Sequence, residues 1–110
     1  MMFRSVSAVV ALAALAIAVA VPARAGDHPV EQINKTFSTP VLKAKVGDTV
    51  TFKNDDTFAH NVFSLSDTQN FDLGSYKKGE TRQLTLTTPG TIEVECAIHP
   101  EMKMKIEVSK

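Results

Sequence analysis

Two stretches near the C terminus, "TIEVEC" (Thr91 to Cys96) and "KMKIEV" (Lys103 to Val108), alternate apolar and polar residues without a break. A period of two is the signature of a strand with one buried face. It turns Ile92, Val94 and Cys96 one way and Met104, Ile106 and Val108 one way, with Glu93, Glu95, Lys103, Lys105 and Glu107 outward. Antiparallel strands joined by the six residues between them gather Cys96, His99 and Met102 at one end of a sheet.

The rest of the chain from Gly26 onward obeys the same rule. No helical period of useful length occurs after Ala25, and short alternating runs are separated by turn signals. Val41 to Lys45 reads as a strand, "KVGDT" (Lys45 to Thr49) as a turn, and "TVTFKN" as a strand with Val50 and Phe52 on one face. "HNVFSL" (His60 to Leu65) is another strand. "YKKGET" (Tyr76 to Thr81) turns the chain into "RQLTLTT", where Leu84 and Leu86 share a face, and "TPG" (Thr88 to Gly90) turns it again. Leu65 to Tyr76 reads as a loop with room for a short helical turn. Lys77 and Lys78 read as solvated turn residues. The fold class is all-β, an antiparallel sandwich or barrel, with no repeat and no second domain.

Residues 1–25 read differently. Arg4 precedes the apolar run "AVVALAALAIAVAV", which ends at "ARA", Ala23 to Ala25. This is the pattern of a secretory leader cleaved after Ala25, and the run from Ala8 to Val21 falls short of the ~20 residues a spanning helix needs. The domain is therefore expected to run from 26 to 110, exported or periplasmic, with no membrane span after cleavage. Twelve basic and twelve acidic residues balance in the whole chain; losing Arg4 and Arg24 leaves a slight negative charge. That excludes the basic surface nucleic-acid binding requires.

Cys96 is the one cysteine, so no disulfide can form within the chain. In an exported protein a lone thiol is a buried spare, an intermolecular linker or a metal ligand. Its neighbours bear on the choice. In "ECAIHPEM" a thiol, an imidazole and a thioether follow one another at intervals of three. At these His and Met frequencies that coincidence arises roughly one time in a thousand. Thiolate with imidazoles and a weakly held thioether suits copper, because soft sulfur favours Cu(I) while imidazole serves both oxidation states. One short loop then supplies three ligands, and a fourth must come from a distant strand. His60, at the head of its own strand, is the candidate.

At this point the chain resembles a known family. "VGDTVTFKNDD" with "AHNVFS", and "TPGTIEVECAIHPEM", are similar to the two ligand regions of the cupredoxin, or type 1 blue copper, family, and the C-x2-H-x2-M spacing is closest to amicyanin. The resemblance covers about Val41 to Val108 and implies a Greek-key β-sandwich holding one copper ion. It implies that His60, Cys96 and His99 are equatorial ligands and Met102 the axial one. Asn61 is implied to brace the cysteine loop, and His99 to emerge through an apolar patch beside Ile98, Pro100 and Phe58. Relatives often carry apolar or aromatic residues before the cysteine, whereas this chain has Glu93, Val94 and Glu95. Either the glutamates belong to a solvated strand face, or Glu95 or Glu101 places charge near the metal, and a carboxylate ligand competes with Met102.

His28 stands apart. Cleavage after Ala25 leaves Gly26-Asp27-His28 at the amino terminus, a sequence whose amine, amides and imidazole can form a square-planar Cu(II) or Ni(II) site. The functional expectation is a monomeric one-electron carrier, not an enzyme, passing electrons between redox proteins such as a dehydrogenase donor and a cytochrome-like acceptor. The rivals are a copper chaperone, buffer or sensor, and a redox enzyme with an open coordination position.

Overall fold

The computed structural model describes residues 25–110, so the leader expected over residues 1–25 lies outside them but for its last residue. Nine strands make up the fold: β1 (Asp27–Ile33), β2 (Thr36–Phe37), β3 (Val41–Lys45), β4 (Thr49–Asn54), β5 (His60–Ser64), β6 (Phe71–Tyr76), β7 (Thr81–Thr85), β8 (Gly90–Glu95) and β9 (Lys103–Ser109). They form two sheets, ordered β2-β1-β4-β7 and β3-β9-β8-β5-β6. The all-β sandwich is as the alternation predicts. Its sheets are mixed, because β1 runs parallel to β4 and β3 parallel to β9.

Alternation decides the core. Val50 and Phe52 of β4, Leu84 of β7, Ile92 and Val94 of β8, and Met104, Ile106 and Val108 of β9 all point between the sheets. Fully burying each such side chain contributes about 1.5–3 kcal/mol relative to leaving it in water. Phe37 meets Phe52 edge-on with ring centroids 6.2 Å apart. On the outer face of β8 and β9 the charges match in register, Glu93 opposite Lys105 and Glu95 opposite Lys103. Glu95 lies 3.6 Å from the Lys103 ammonium, which makes this a self-neutralised strand face.

Two regions differ from expectation. β1 and β2 were not foreseen, because "DHPVEQI" has a proline and only Val30 and Gln32 turn inward. Proline lacks a ladder donor, and it is tolerated at Pro29 because β2 pairs only with Gln32 and Ile33, leaving that side of β1 open. The stretch from Leu65 to Tyr76 holds no helical turn. Its second half is β6, which pairs with β5 across a register shift between Asn61 and Phe63.

The β1–β2 hairpin turns on Asn34 and Lys35, both with positive φ (53° and 57°). A two-residue hairpin of this kind requires the left-handed region at both positions, which Asn tolerates and Lys resists. Both backbone N–H groups donate to the carboxylate of Asp56, at 2.8 and 3.1 Å. That carboxylate offsets the strain and fastens the hairpin to the loop before β5.

Candidate metal centre

β5 begins at His60, whose side chain is wholly buried, and β8 ends one residue before Cys96, 1% exposed. Opposite β8 the chain returns as β9, and the loop between carries His99 and Met102. The structure brings His60, Cys96 and His99 together, with one ligand atom of each within 4.8 Å of the others. Cys96 Sγ lies 3.8 Å from His60 Nδ1 and 3.9 Å from His99 Nδ1. The two imidazoles stand 5.0 Å apart at 65°. One thiol and two ring nitrogens facing a common point suit a single copper ion, the soft and borderline donors it prefers.

His60 and the backbone beside Cys96 are held from behind. The far nitrogen of His60, Nε2, donates to Asp56 Oδ2 at 2.7 Å, which leaves Nδ1 as the lone-pair nitrogen facing the thiol. Burial pushes the Asp56 carboxyl up, but hydrogen bonds from His60 and the amides of Lys35 and Asn34 outweigh it and hold it below the usual carboxylate range. Asn61 Oδ1 accepts the Ala97 amide at 2.6 Å, which ties β5 to the backbone next to Cys96. The loop also closes on itself: the Cys96 amide donates to the Met102 carbonyl at 3.3 Å, and the Met102 amide to the His99 carbonyl at 2.9 Å. Met102 is 1% exposed and packs within the core.

Phe58 covers the pair of imidazoles, its ring centroid 5.2 Å from that of His60 and 5.1 Å from that of His99. His99 remains partly exposed. Phe58 and Ile98 are exposed apolar residues next to it in this loop region, and the Lys35 ammonium sits 5.7 Å over the Phe58 ring. Glu101 is exposed, and Glu95 is engaged by Lys103 on the outer face.

Polar residues in the core complete the frame. Asn54 Nδ2 donates to the carbonyls of Phe58 (2.9 Å) and Tyr76 (3.1 Å), while its Oδ1 accepts the Asp56 amide at 2.8 Å. Tyr76 donates its hydroxyl to Gln32, whose Nε2 donates to the Asn61 carbonyl at 3.4 Å. Burial pushes the Tyr76 phenol well above its ordinary range, against the opposing influence of Arg82. Asp56, Asn54 and Gln32 were not singled out from the sequence. A signal existed for two of them: Asn54 shares the parity of Val50 and Phe52, and Gln32 that of Val30, so alternation sends both amides inward. His28 lies outside the cluster, on β1, where its Nε2 is 2.8 Å from Asp48.

Residues 28–109 match the model of the copper-binding proteins of the plastocyanin/azurin family. The chain belongs to that family. Among its relatives is amicyanin-alpha of Methylorubrum extorquens, 32% identical over 105 residues, covering 93% of this chain and 88% of the relative. The methylamine utilization protein MauL of the same organism is 33% identical over 101 residues, covering 91% and 89%. A solved structure of a reduced amicyanin variant superposes with a TM-score of 0.72 at 33% identity, over 76% of this chain and 83% of that one. In this cupredoxin the cluster of His60, Cys96 and His99 is consistent with a mononuclear type 1 copper electron-transfer site.

Proposed function

We propose that this protein is an exported one-electron carrier, in which His60, Cys96, His99 and Met102 would hold the copper ion. The observation that carries the reading is the convergence of two Nδ1 atoms on one buried thiol, with the His60 ring and the backbone just after Cys96 each fastened by a hydrogen bond from outside the cluster. Copper bound there supplies a one-electron couple between Cu(I) and Cu(II). The chain's own part is to hold the donors still. Asp56 fixes the His60 ring, Asn61 fixes the backbone beyond Cys96, and the loop bond between Cys96 and Met102 limits how far the thioether can move. Burial of Met102 and engagement of Glu95 by Lys103 favour the thioether over a carboxylate as the fourth donor.

Partly exposed His99, its Nδ1 3.9 Å from the thiol, with Phe58 against its ring and Ile98 beside it, offers a path from the thiol to the surface. An apolar surround lets a partner approach closely and be released easily, which suits a shuttle. Kinship with amicyanins supports a carrier and not an enzyme. It also suggests a dehydrogenase donor and a cytochrome-like acceptor in the periplasm, and one relative is named for methylamine utilization. No helix among the described residues is long and apolar enough to cross a membrane.

The test is to cycle the copper-loaded protein between oxidised and reduced states in the presence of a Cu(I) chelator. A carrier keeps its copper and regains full colour on each oxidation. Loss of copper on reduction would instead identify a copper-handling protein. In the same assay Met102→Leu is expected to keep the colour and raise the reduction potential, since a weak axial thioether tunes the couple without creating it. An unchanged potential would remove Met102 from the ligand set.

A further inference from the structure

The far end of the sandwich holds a second convergence of donor atoms. Because β1 and β4 run parallel, the residues at the start of each are brought side by side. The backbone nitrogen of Gly26 lies 2.8 Å from Asp48 Oδ1, and His28 Nε2 lies 2.8 Å from Asp48 Oδ2. A Cβ built on Gly26 would stand 3.6 Å from His28 Nε2 and 3.7 Å from Asp48 Oδ1, which measures how closely the three groups are drawn together. Asp48 is itself fixed, its Oδ2 accepting the Lys45 amide at 3.0 Å and its carbonyl accepting the Leu86 amide at 2.8 Å. The group opens onto a hollow of about 460 Å³ lined by His28, Lys43, Lys45, Asp48 and Glu107.

We propose that cleavage after Ala25 turns this convergence into a divalent transition-metal site, with the Gly26 α-amine, His28 Nε2 and the Asp48 carboxylate as its three donors. Cleavage is what completes it, because the neutral amide nitrogen of Gly26 is a poor donor that binds metal only on losing its proton, whereas the free amine is a donor in its own right. Two nitrogens and one carboxylate are borderline and hard donors, and Cu(II) heads the affinity order for such a set. Lys43 and Lys45 balance Asp48 and Glu107 around the hollow, so the donor atoms and not the net charge select the ion.

This is not the site that Gly26-Asp27-His28 would form as a free peptide. A square-planar peptide site uses the backbone amides of Asp27 and His28 and the other ring nitrogen. Here those residues pair with Thr49 and Val50, and the Gly26 carbonyl already accepts the Thr49 amide at 2.9 Å. Forming the peptide site would strip the first residues of β1 from the sheet, whereas the three-donor site leaves the strand in place. The two differ on Asp48, which only the second uses.

The test uses the exported, processed protein with its copper centre filled, and mass spectrometry to establish that the chain starts at Gly26. A second equivalent of Cu(II) is then titrated in and followed by electron paramagnetic resonance. The proposal expects a second signal of wide hyperfine splitting with two coupled nitrogens. Its affinity should fall by roughly tenfold or more in His28→Ala, in Asp48→Asn, and in protein with one extra residue ahead of Gly26. The extended protein keeps every folded contact, so it decides the matter should Asp48→Asn fail to fold. A start other than Gly26, no second equivalent bound, or four-nitrogen binding unchanged in Asp48→Asn would each overturn it.

Discussion

Two histidine–aspartate pairs sit at opposite ends of the parallel strands β1 and β4. At the start of the strands His28 meets Asp48, and beyond their ends His60 meets Asp56, at 2.8 and 2.7 Å. Both carboxylates also accept two backbone amides. Six paired residues separate the ends, or about 20 Å at ordinary strand rise. In bond lengths the pairs are nearly alike, so bond lengths do not set their roles. Surroundings do. The His28 side chain is 27% exposed and faces an open hollow, whereas His60 is fully buried with its second nitrogen trained on a thiol. A hydrogen bond that is one of several surface ties at the first end becomes a device for fixing tautomer and ring angle at the second.

Breaking the buried pair should have the largest effect. Asp56→Leu leaves the buried His60 Nε2 donor without an acceptor, which costs about 1–3 kcal/mol, and hands the amides of the exposed Asn34–Lys35 turn to water. Denaturant unfolding of the apoprotein should show a loss of about 1–3 kcal/mol, and copper should bind with altered spectra. A loss below about 1 kcal/mol would mean that water replaces the carboxylate freely.

A smaller loss is expected from Asn61→Ala, which removes the acceptor of the Ala97 amide and leaves His60 itself untouched. We expect about 0.5–1.5 kcal/mol of destabilisation, and a greater reorganisation energy for electron transfer because the backbone beyond Cys96 is released. Stability lost with no change in electron-transfer rate would confine Asn61 to a structural role.

The open pair should matter least to folding, and pH isolates it. Hydrogen bonds from His28 and from the Lys45 and Gly26 amides hold the Asp48 carboxyl at about 2, below its ordinary 3.8. A depressed carboxyl stabilises the fold above the ordinary value and ceases to do so as pH falls through the lowered one. The apoprotein should therefore exceed Asp48→Asn in stability near neutrality by less than the Asp56 effect. That margin should shrink as pH drops from about 4 toward about 2. A margin constant across that range would show that Asp48 acts through shape and not charge.

The same comparison explains what could be read from the residues alone. The strands around the metal centre were legible because β4, β7, β8 and β9 alternate cleanly, and their parity sends Phe52, Ile92, Cys96 and Met104 inward. Cys96, His99 and Met102 were legible because one short loop carries all three. Asp56 was not, since "NDDTFAH" has no period, and which of Asp55 and Asp56 turns inward is settled by the Asn34–Lys35 turn reaching across from another strand. β1 escaped for a related reason: its inward residues are one valine and one glutamine, and the glutamine finds its partners in Tyr76 and Asn61, far away in sequence.

The functional reading of the buried end stands or falls on His60, Cys96 and His99 forming a single type 1 copper centre. One equivalent of Cu(II) added to the apoprotein, followed by absorption and electron paramagnetic resonance, tests it most directly. Wild type should turn intensely blue with narrow copper hyperfine splitting, and Cys96→Ser should lose the thiolate charge-transfer band altogether. A colourless wild type, or blue colour persisting in Cys96→Ser, would contradict it.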